Sequence, residues 1–223
     1  MTRVKICGIT DVAHVEAIAA AGADLISVVF APSPRQLTLE KAEEIASAAR
    51  KQGLLAVGVF VNTPAGEVNT IASACGLDWV QLSGDEDLEC CRQMEKPFIK
   101  AIHIAPDWDE EQLLAHLESH HRQLRHQTPI YLLDTQVEDK YGGTGRVFSW
   151  DIARRAAERY PVMIAGGLDP ENVGKVVAEL KPWGVDVSSG VESGGVKDIK
   201  KIEAFMAAVR RAKANLYRAK GGQ

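Results

Sequence analysis

The sequence predicts a (β/α)8 barrel, and three observations carry that expectation. Short apolar runs recur eight times along the 223 residues. Segments of helical periodicity separate them. The runs follow one another at roughly 26 residues, the spacing of a slightly compact barrel of this class. The alternating pattern alone also permits an open doubly wound sheet. No Pro- or Ser-rich linker divides the chain, so one domain over 1–214 is expected, with a polar tail over 215–223.

The apolar runs are residues 4–6, 25–30, 55–61, 79–82, 98–102, 130–133, 162–165 and 185–188. They are rich in β-branched residues and lack clean polar alternation, as strands buried on both faces do. The first helix spans about 11–21 and stops at Gly22. The second follows Thr38, with Leu39, Ala42, Ile45, Ala46 and Ala49 on one face. Weaker helical patterns fill 64–75, 85–95, 108–125 and 149–159. Val173, Val176, Val177 and Leu180 mark a further helix, with Asp169 as N-cap and Pro170 at the first position. Ile199, Ile202, Phe205, Met206 and Val209 mark the last, capped by Asp198.

Composition removes several function classes. Hydrophobic residues at 46% and charged residues at 25% are ordinary globular usage, which argues against disorder. A net charge of -4 gives no support to nucleic-acid binding. The basic stretch 196–223 reads as a solvated helix face. No apolar run reaches the ~20 residues of a membrane span. The sequence shows no signal-peptide core, so a cytoplasmic protein is expected. Cys7, Cys75, Cys90 and Cys91 read as free thiols, and no CxxC metal pattern is present. His116, His120 and His121 have metal-compatible helical spacing but no fourth ligand, so they read as structural. Lys100 lies within the fifth run, where a Schiff-base lysine can sit, but no partner for carbonyl chemistry surrounds it.

In a barrel the chemistry belongs to the loops that follow the strands. Ten of the 19 glycines fall between 142 and 195. Gly166-Gly167 follows the seventh run and Ser188-Ser189-Gly190 the eighth, the two places where barrels often hold phosphate. Cys7 follows the first run. Free cysteine is often a small buried hydrophobe, so position alone leaves its role open. Lys5, two residues earlier on the same side of the strand, would favour a thiolate there. Asp134 ends the sixth run, where a carboxylate is costly unless solvated or paired. Arg35 sits between Pro34 and Gln36 in a turn stiffened by Pro32 and Pro34, which would aim a fork suited to a carboxylate.

These residues form an ordered set: Lys5-Ile6-Cys7-Gly8-Ile9, Ser33-Pro34-Arg35, Gln81-Leu82-x-Gly84, Leu133-Asp134, Gly142-Gly143-Thr144-Gly145, Ala165-Gly166-Gly167-Leu168 with Pro170-Glu171-Asn172-Val173, and Gly184 to Glu192 followed by Lys197-Asp198. In that order the sequence resembles the phosphoribosylanthranilate isomerases of tryptophan biosynthesis through nearly its whole length. The resemblance implies an Amadori rearrangement of N-(5-phosphoribosyl)anthranilate. By the same resemblance Cys7 is the general base and Asp134 the general acid. Arg35 holds the anthranilate carboxylate, with Gly143 and Asp186 also at the substrate. Gly166, Gly167, Ser188, Ser189 and Gly190 hold the phosphate, and segment 135–146 closes over the sugar. The oxidation change is internal to the substrate, so no cofactor or metal is expected. The expected partner is a small phosphorylated molecule, with no nucleic acid or membrane, and the protein is expected to be a monomer or homodimer.

The sequence departs from the family pattern at Ser83, where histidine is common, at Thr135, at Ser149 and at Gly194-Gly195. None of these touches the implied acid or base. Indoleglycerol-phosphate synthase chemistry would want lysines and glutamates at several strand ends. The histidine-pathway isomerase would want an aspartate at Cys7. A receiver-type signalling module would need five strands and an acidic cluster after the first.

Overall fold

The computed structural model describes residues 2–104, 107–124, 127–134 and 150–221. Its first eight strands are β1 (Arg3–Ile6), β2 (Leu25–Val29), β3 (Leu55–Phe60), β4 (Trp79–Leu82), β5 (Phe98–His103), β6 (Ile130–Asp134), β7 (Val162–Ala165) and β8 (Gly184–Val187). Each pairs in parallel with its chain neighbours, and β8 pairs back onto β1. That last pairing makes the sheet a closed barrel and excludes the open alternative. It also removes the sheet edges that would otherwise need covering.

The helices are α1 (Ala13–Ala21), α2 (Leu39–Lys51), α3 (Ala65–Ala74), α4 (Leu88–Arg92), α5 (Glu110–Gln123), α6 (Arg154–Arg159), α7 (Val173–Leu180) and α8 (Ile199–Gly221). Thr38 caps α2 by accepting from the Lys41 amide, and α1 ends on Gly22 at φ +89°. Asp198 opens α8 by accepting from the amides of Lys200 and Lys201 at 3.0 and 3.3 Å. No helix among the described residues is long and apolar enough to cross a membrane.

Four boundaries differ from the sequence expectation. Helix α7 starts at Val173 instead of Pro170. The Asp169 carboxylate accepts from the amides of Glu171 and Asn172 and its carbonyl from the Val173 amide at 3.1 Å, closing a turn that leads into the helix. Helix α4 has only five residues, because Glu86 turns inward before the Asp87 cap. A 3₁₀ turn at Trp150–Ala153 precedes α6. Helix α8 continues through Gly221, where a polar tail is expected from 215. Residues 211–220 hold good helix formers and neither Pro nor Gly, so nothing local stops it.

The period of two along each strand decides what faces the barrel interior. Leu25, Val57, Ile99, Ala101, Ile130, Leu132, Met163 and Ala165 form one buried apolar cluster. The residues between them, such as Ile26, Ala56, Tyr131 and Ile164, pack with the helices in another. Lys5, Gln81, Asp134 and Asp186 share the interior phase. Lys100 does not. Its ammonium donates to the Gly84 carbonyl at 2.6 Å and to Glu86 at 2.7 Å, on the outer side of the wall. The Schiff-base role therefore has no geometric support. At the opposite end, Trp79 and Trp183 meet at 6.1 Å, and the Arg3 guanidinium lies 4.7 Å over Trp183. On α5, His116 packs against Trp108 at 5.0 Å and His120 at 4.5 Å. Burial pushes both imidazoles down, His120 to about 4. Among the described residues no three His, Cys, Asp or Glu side chains gather as a metal site would need.

The Lys100–Glu86 pair fixes the loop between β4 and α4. Glu86 also accepts from the amides of Asn62 and Gly84 at 2.9 and 3.0 Å. Burial alone would raise the Glu86 carboxyl, but Lys100 and the amides of Asn62 and of Glu86 itself outweigh it and hold it below its usual range. Replacing Glu86 by Gln leaves a buried ammonium uncompensated, so a loss of about 3–5 kcal/mol is expected at neutral pH. The folded value lies below the unfolded ~4.3, so the stabilisation is full above ~4.3 and fades as pH falls through the folded value. Urea midpoints of wild type and Glu86→Gln should therefore converge in acid. A gap that stays constant with pH would reject the role of the carboxylate charge.

Candidate active site

At the C-terminal ends of the strands lies a cavity of about 170 Å³. Cys7, Gln81, Ser83, His103, Asp134 and Asp186 line it together with Gly166, Gly167 and residues 188–190. Two larger hollows, of about 400 and 360 Å³, lie elsewhere. One lies by Thr2, Pro161, Trp183 and α8, and the other lies between α7 and α8. Neither gathers a thiol and a carboxylate. Size therefore does not locate the chemistry here. Convergent titratable groups do.

Cys7 continues β1 into the mouth. Its amide donates to the Val187 carbonyl at 2.8 Å, and its carbonyl accepts from Ser188 Oγ at 3.3 Å. The next amide, of Gly8, donates to Ser27 Oγ at 3.2 Å. The thiol-bearing residue is thus pinned between β8 and β2. Below it Lys5 is fully buried and donates to Asp186 Oδ1 at 2.8 Å. Burial pulls the Lys5 ammonium down, but Asp186 and the Cys7 thiol together overcome it and raise it above its ordinary value. A charged lysine next to the thiol is the arrangement expected from the two-residue spacing. Asp186 lines the cavity with one oxygen engaged by Lys5. Asp134 ends β6, between His103 of β5 and Ala165 of β7 in register.

The loops after β7 and β8 form one surface. Gly166 and Gly167 have φ of +81° and +64°, a left-handed pair that only glycine adopts cheaply. Gly190 is required for a different reason. A Cβ there would stand 1.9 Å from the Leu168 carbonyl oxygen, so the two loops touch through it. A 3₁₀ turn at Ser189–Val191 carries the chain past this contact.

Arg35 is placed differently from the other implied residues. It is not part of the cavity wall. Its stem crosses Gly8, where a Cβ would stand 2.5 Å from Arg35 Cδ. Its guanidinium pairs with Glu192, Nε to Oε1 at 2.9 Å and Nη2 to Oε2 at 2.7 Å. Burial would raise the Glu192 carboxyl, but Arg35 and Lys197 bring it down to about 2. The structure therefore brings Cys7, Asp134, Asp186, Gly166, Gly167, Ser188, Ser189 and Gly190 together, with Arg35 beside them. Gly143, the rest of segment 135–146 and Ser149 lie outside the described residues.

Sequence reasoning assigned no part to Gln81, His103, Glu192 or Lys197. Gln81 donates to Ser83 Oγ at 2.9 Å, and His103 Nε2 lies 2.9 Å from the Ser83 carbonyl. Both follow from strand phase: a polar residue on the interior side of β4, and the next interior position after Ile99 and Ala101 on β5. Glu192 and Lys197 flank Gly194-Gly195, a two-residue hairpin signal.

A family model described as N-(5'-phosphoribosyl)anthranilate (PRA) isomerase matches residues 4–208. The N-(5'-phosphoribosyl)anthranilate isomerase of Dehalococcoides mccartyi is 46% identical over 217 residues, covering 96% of this chain and 99% of its own. Among solved structures, the phosphoribosyl anthranilate isomerase of Thermotoga maritima superposes with a TM-score of 0.81 at 35% identity, covering 95% of this chain and all of that one. A solved structure of phosphoribosyl anthranilate isomerase in complex with reduced 1-(o-carboxyphenylamino)-1-deoxyribulose 5-phosphate gives a TM-score of 0.79 at 33% identity, with the same coverage. The match runs along nearly the whole barrel and includes the strand ends that carry the site, and the chain belongs to the N-(5'-phosphoribosyl)anthranilate isomerase family.

Proposed function

We propose that this chain converts N-(5-phosphoribosyl)anthranilate to 1-(2-carboxyphenylamino)-1-deoxyribulose 5-phosphate, with Cys7 as general base and Asp134 as general acid. The observation that carries this reading is a single cavity lined by both residues and by the two glycine-rich loops. Asp134 protonates the furanose ring oxygen, and the sugar opens to an imine. Cys7 removes the proton on C2, and the resulting enolamine tautomerises to the ketone. Both steps are proton transfers and the oxidation change is internal, so the balanced reaction needs no redox partner. Lys5 stands beneath the Cys7 thiol, and Asp186 keeps that lysine in place.

The substrate in this reading carries an anion at each end. The phosphate belongs to Gly166, Gly167, Ser188, Ser189 and Gly190, where small residues let backbone amides approach it. The anthranilate carboxylate belongs to Arg35. A small phosphorylated molecule in the cytoplasm, and no nucleic acid, is then the partner.

Substrate loss is followed by its fluorescence. Cys7→Ala and Asp134→Ala are each expected to lower kcat by ~10²–10⁴ with little change in KM. Turnover retained in either would reject that residue's role. Arg35→Ala should raise KM about tenfold or more and leave kcat nearly intact, as lost uniform binding does. Gly190→Ala should separate the loops and weaken inhibition by inorganic phosphate. Unchanged inhibition in the folded variant would place the phosphate elsewhere.

A further inference from the structure

Arg35 has five donors in a planar fork. Glu192 takes two of them along one edge, Nε and Nη2. Among the described residues Nη1 makes no hydrogen bond, so the Nη1/Nη2 edge remains able to hold a second carboxylate. The plane of that open edge is set by Glu192. The Arg35 stem adds a second constraint where it crosses Gly8.

Glu192 is itself held from behind. Strand β9 (Glu192–Ser193) pairs antiparallel with β10 (Val196–Lys197), placing Lys197 opposite Glu192. The Gly194-Gly195 tip, at φ +59° and +81°, makes this tight reversal possible. Lys197 donates to Glu192 Oε1 at 2.5 Å and to the Ser188 carbonyl at 3.1 Å. Lys201 donates to the Glu192 backbone carbonyl at 2.6 Å. The Glu192 and Lys197 side chains are 7% and 3% exposed, so neither has freedom to swing away. Arg35, Lys197 and Glu192 together carry a net charge of +1. An incoming anion still meets a positive site.

We propose that Glu192 is a positioning residue that orients Arg35 and presents its free edge to the substrate carboxylate. The inference rests on the assignment of Arg35 as the carboxylate clamp. It goes further by giving a buried internal carboxylate the task of aiming that clamp.

The test is a double-mutant cycle on the full chain, with steady-state fluorescence kinetics and inhibition by inorganic phosphate. Glu192→Gln keeps the shape but turns an amide donor toward two cations. It is expected to raise KM by about tenfold and to leave kcat within about twofold. Against Arg35→Ala, the same change should move KM by less than about twofold, since the group to be aimed is gone. The phosphate inhibition constant should stay within about twofold in Glu192→Gln. Equal KM effects in both backgrounds would overturn the proposal. So would phosphate inhibition weakened as much as KM, which would show Glu192 acting through Lys197 on the phosphate loop. If Glu192→Gln does not fold, Glu192→Asp serves: it keeps the charge and withdraws it by one methylene. It should raise KM by about threefold or more, and a wild-type KM would overturn the proposal. A wild-type KM in Arg35→Ala overturns the clamp and this proposal together. Wild-type protein that consumes no substrate overturns the proposed reaction itself.

Discussion

The Lys5–Asp186 pair lies across the seam where β8 closes onto β1, and the site depends on that seam. A fully buried ammonium inside a barrel is tolerable only when paired and hydrogen-bonded. The register sets Lys5 beside Asp186 and so supplies the partner. The same seam carries the Cys7 amide to the Val187 carbonyl and Ser188 Oγ to the Cys7 carbonyl. Thiol and phosphate loop are therefore held by one set of bonds. A slip of the register by one residue would move all of these side chains to the helix side at once.

The division of labour between the two ends of the barrel follows from the direction of the strands. At the N-terminal end Trp79, Trp183 and Arg3 close the core with apolar area and a cation–π contact. That end serves stability. At the C-terminal end the interior positions of β5 and β6 change from apolar to polar, from Ile99 to His103 and from Ile130 to Asp134. The polar groups there are solvated or paired in the mouth, so their cost is small. Pairs such as Lys100–Glu86 and Glu192–Lys197 stiffen the loops around the mouth without entering the cavity.

Much of this was legible in the sequence. Eight apolar runs are a local signal, and each became a strand within one or two residues of its expected limits. Thr38, Asp198 and Gly22 marked helix ends because capping is a matter of a few adjacent atoms. Asp169 caps backbone amides in the same way, in the turn that leads into α7, and the regular helix starts at Val173. Cys7, Asp134 and the glycines after β7 and β8 were readable because a strand end is a position along the chain.

What the sequence by itself determined was the class of fold, the order of its units and the side chains at each strand end. These depend on periodicity and on near neighbours. Only the tertiary structure decided which charges meet. Arg35 and Glu192 are 157 residues apart, and Lys5 and Asp186 are 181 apart. Lys100 points outward because of its phase relative to Ile99 and Ala101, which acquires meaning only once the sheet has an inside. The physical reason is closure. Pairing the last strand with the first makes neighbours of residues that no local pattern connects, and in a low-dielectric interior those neighbours fix which groups are charged and which are free to bind.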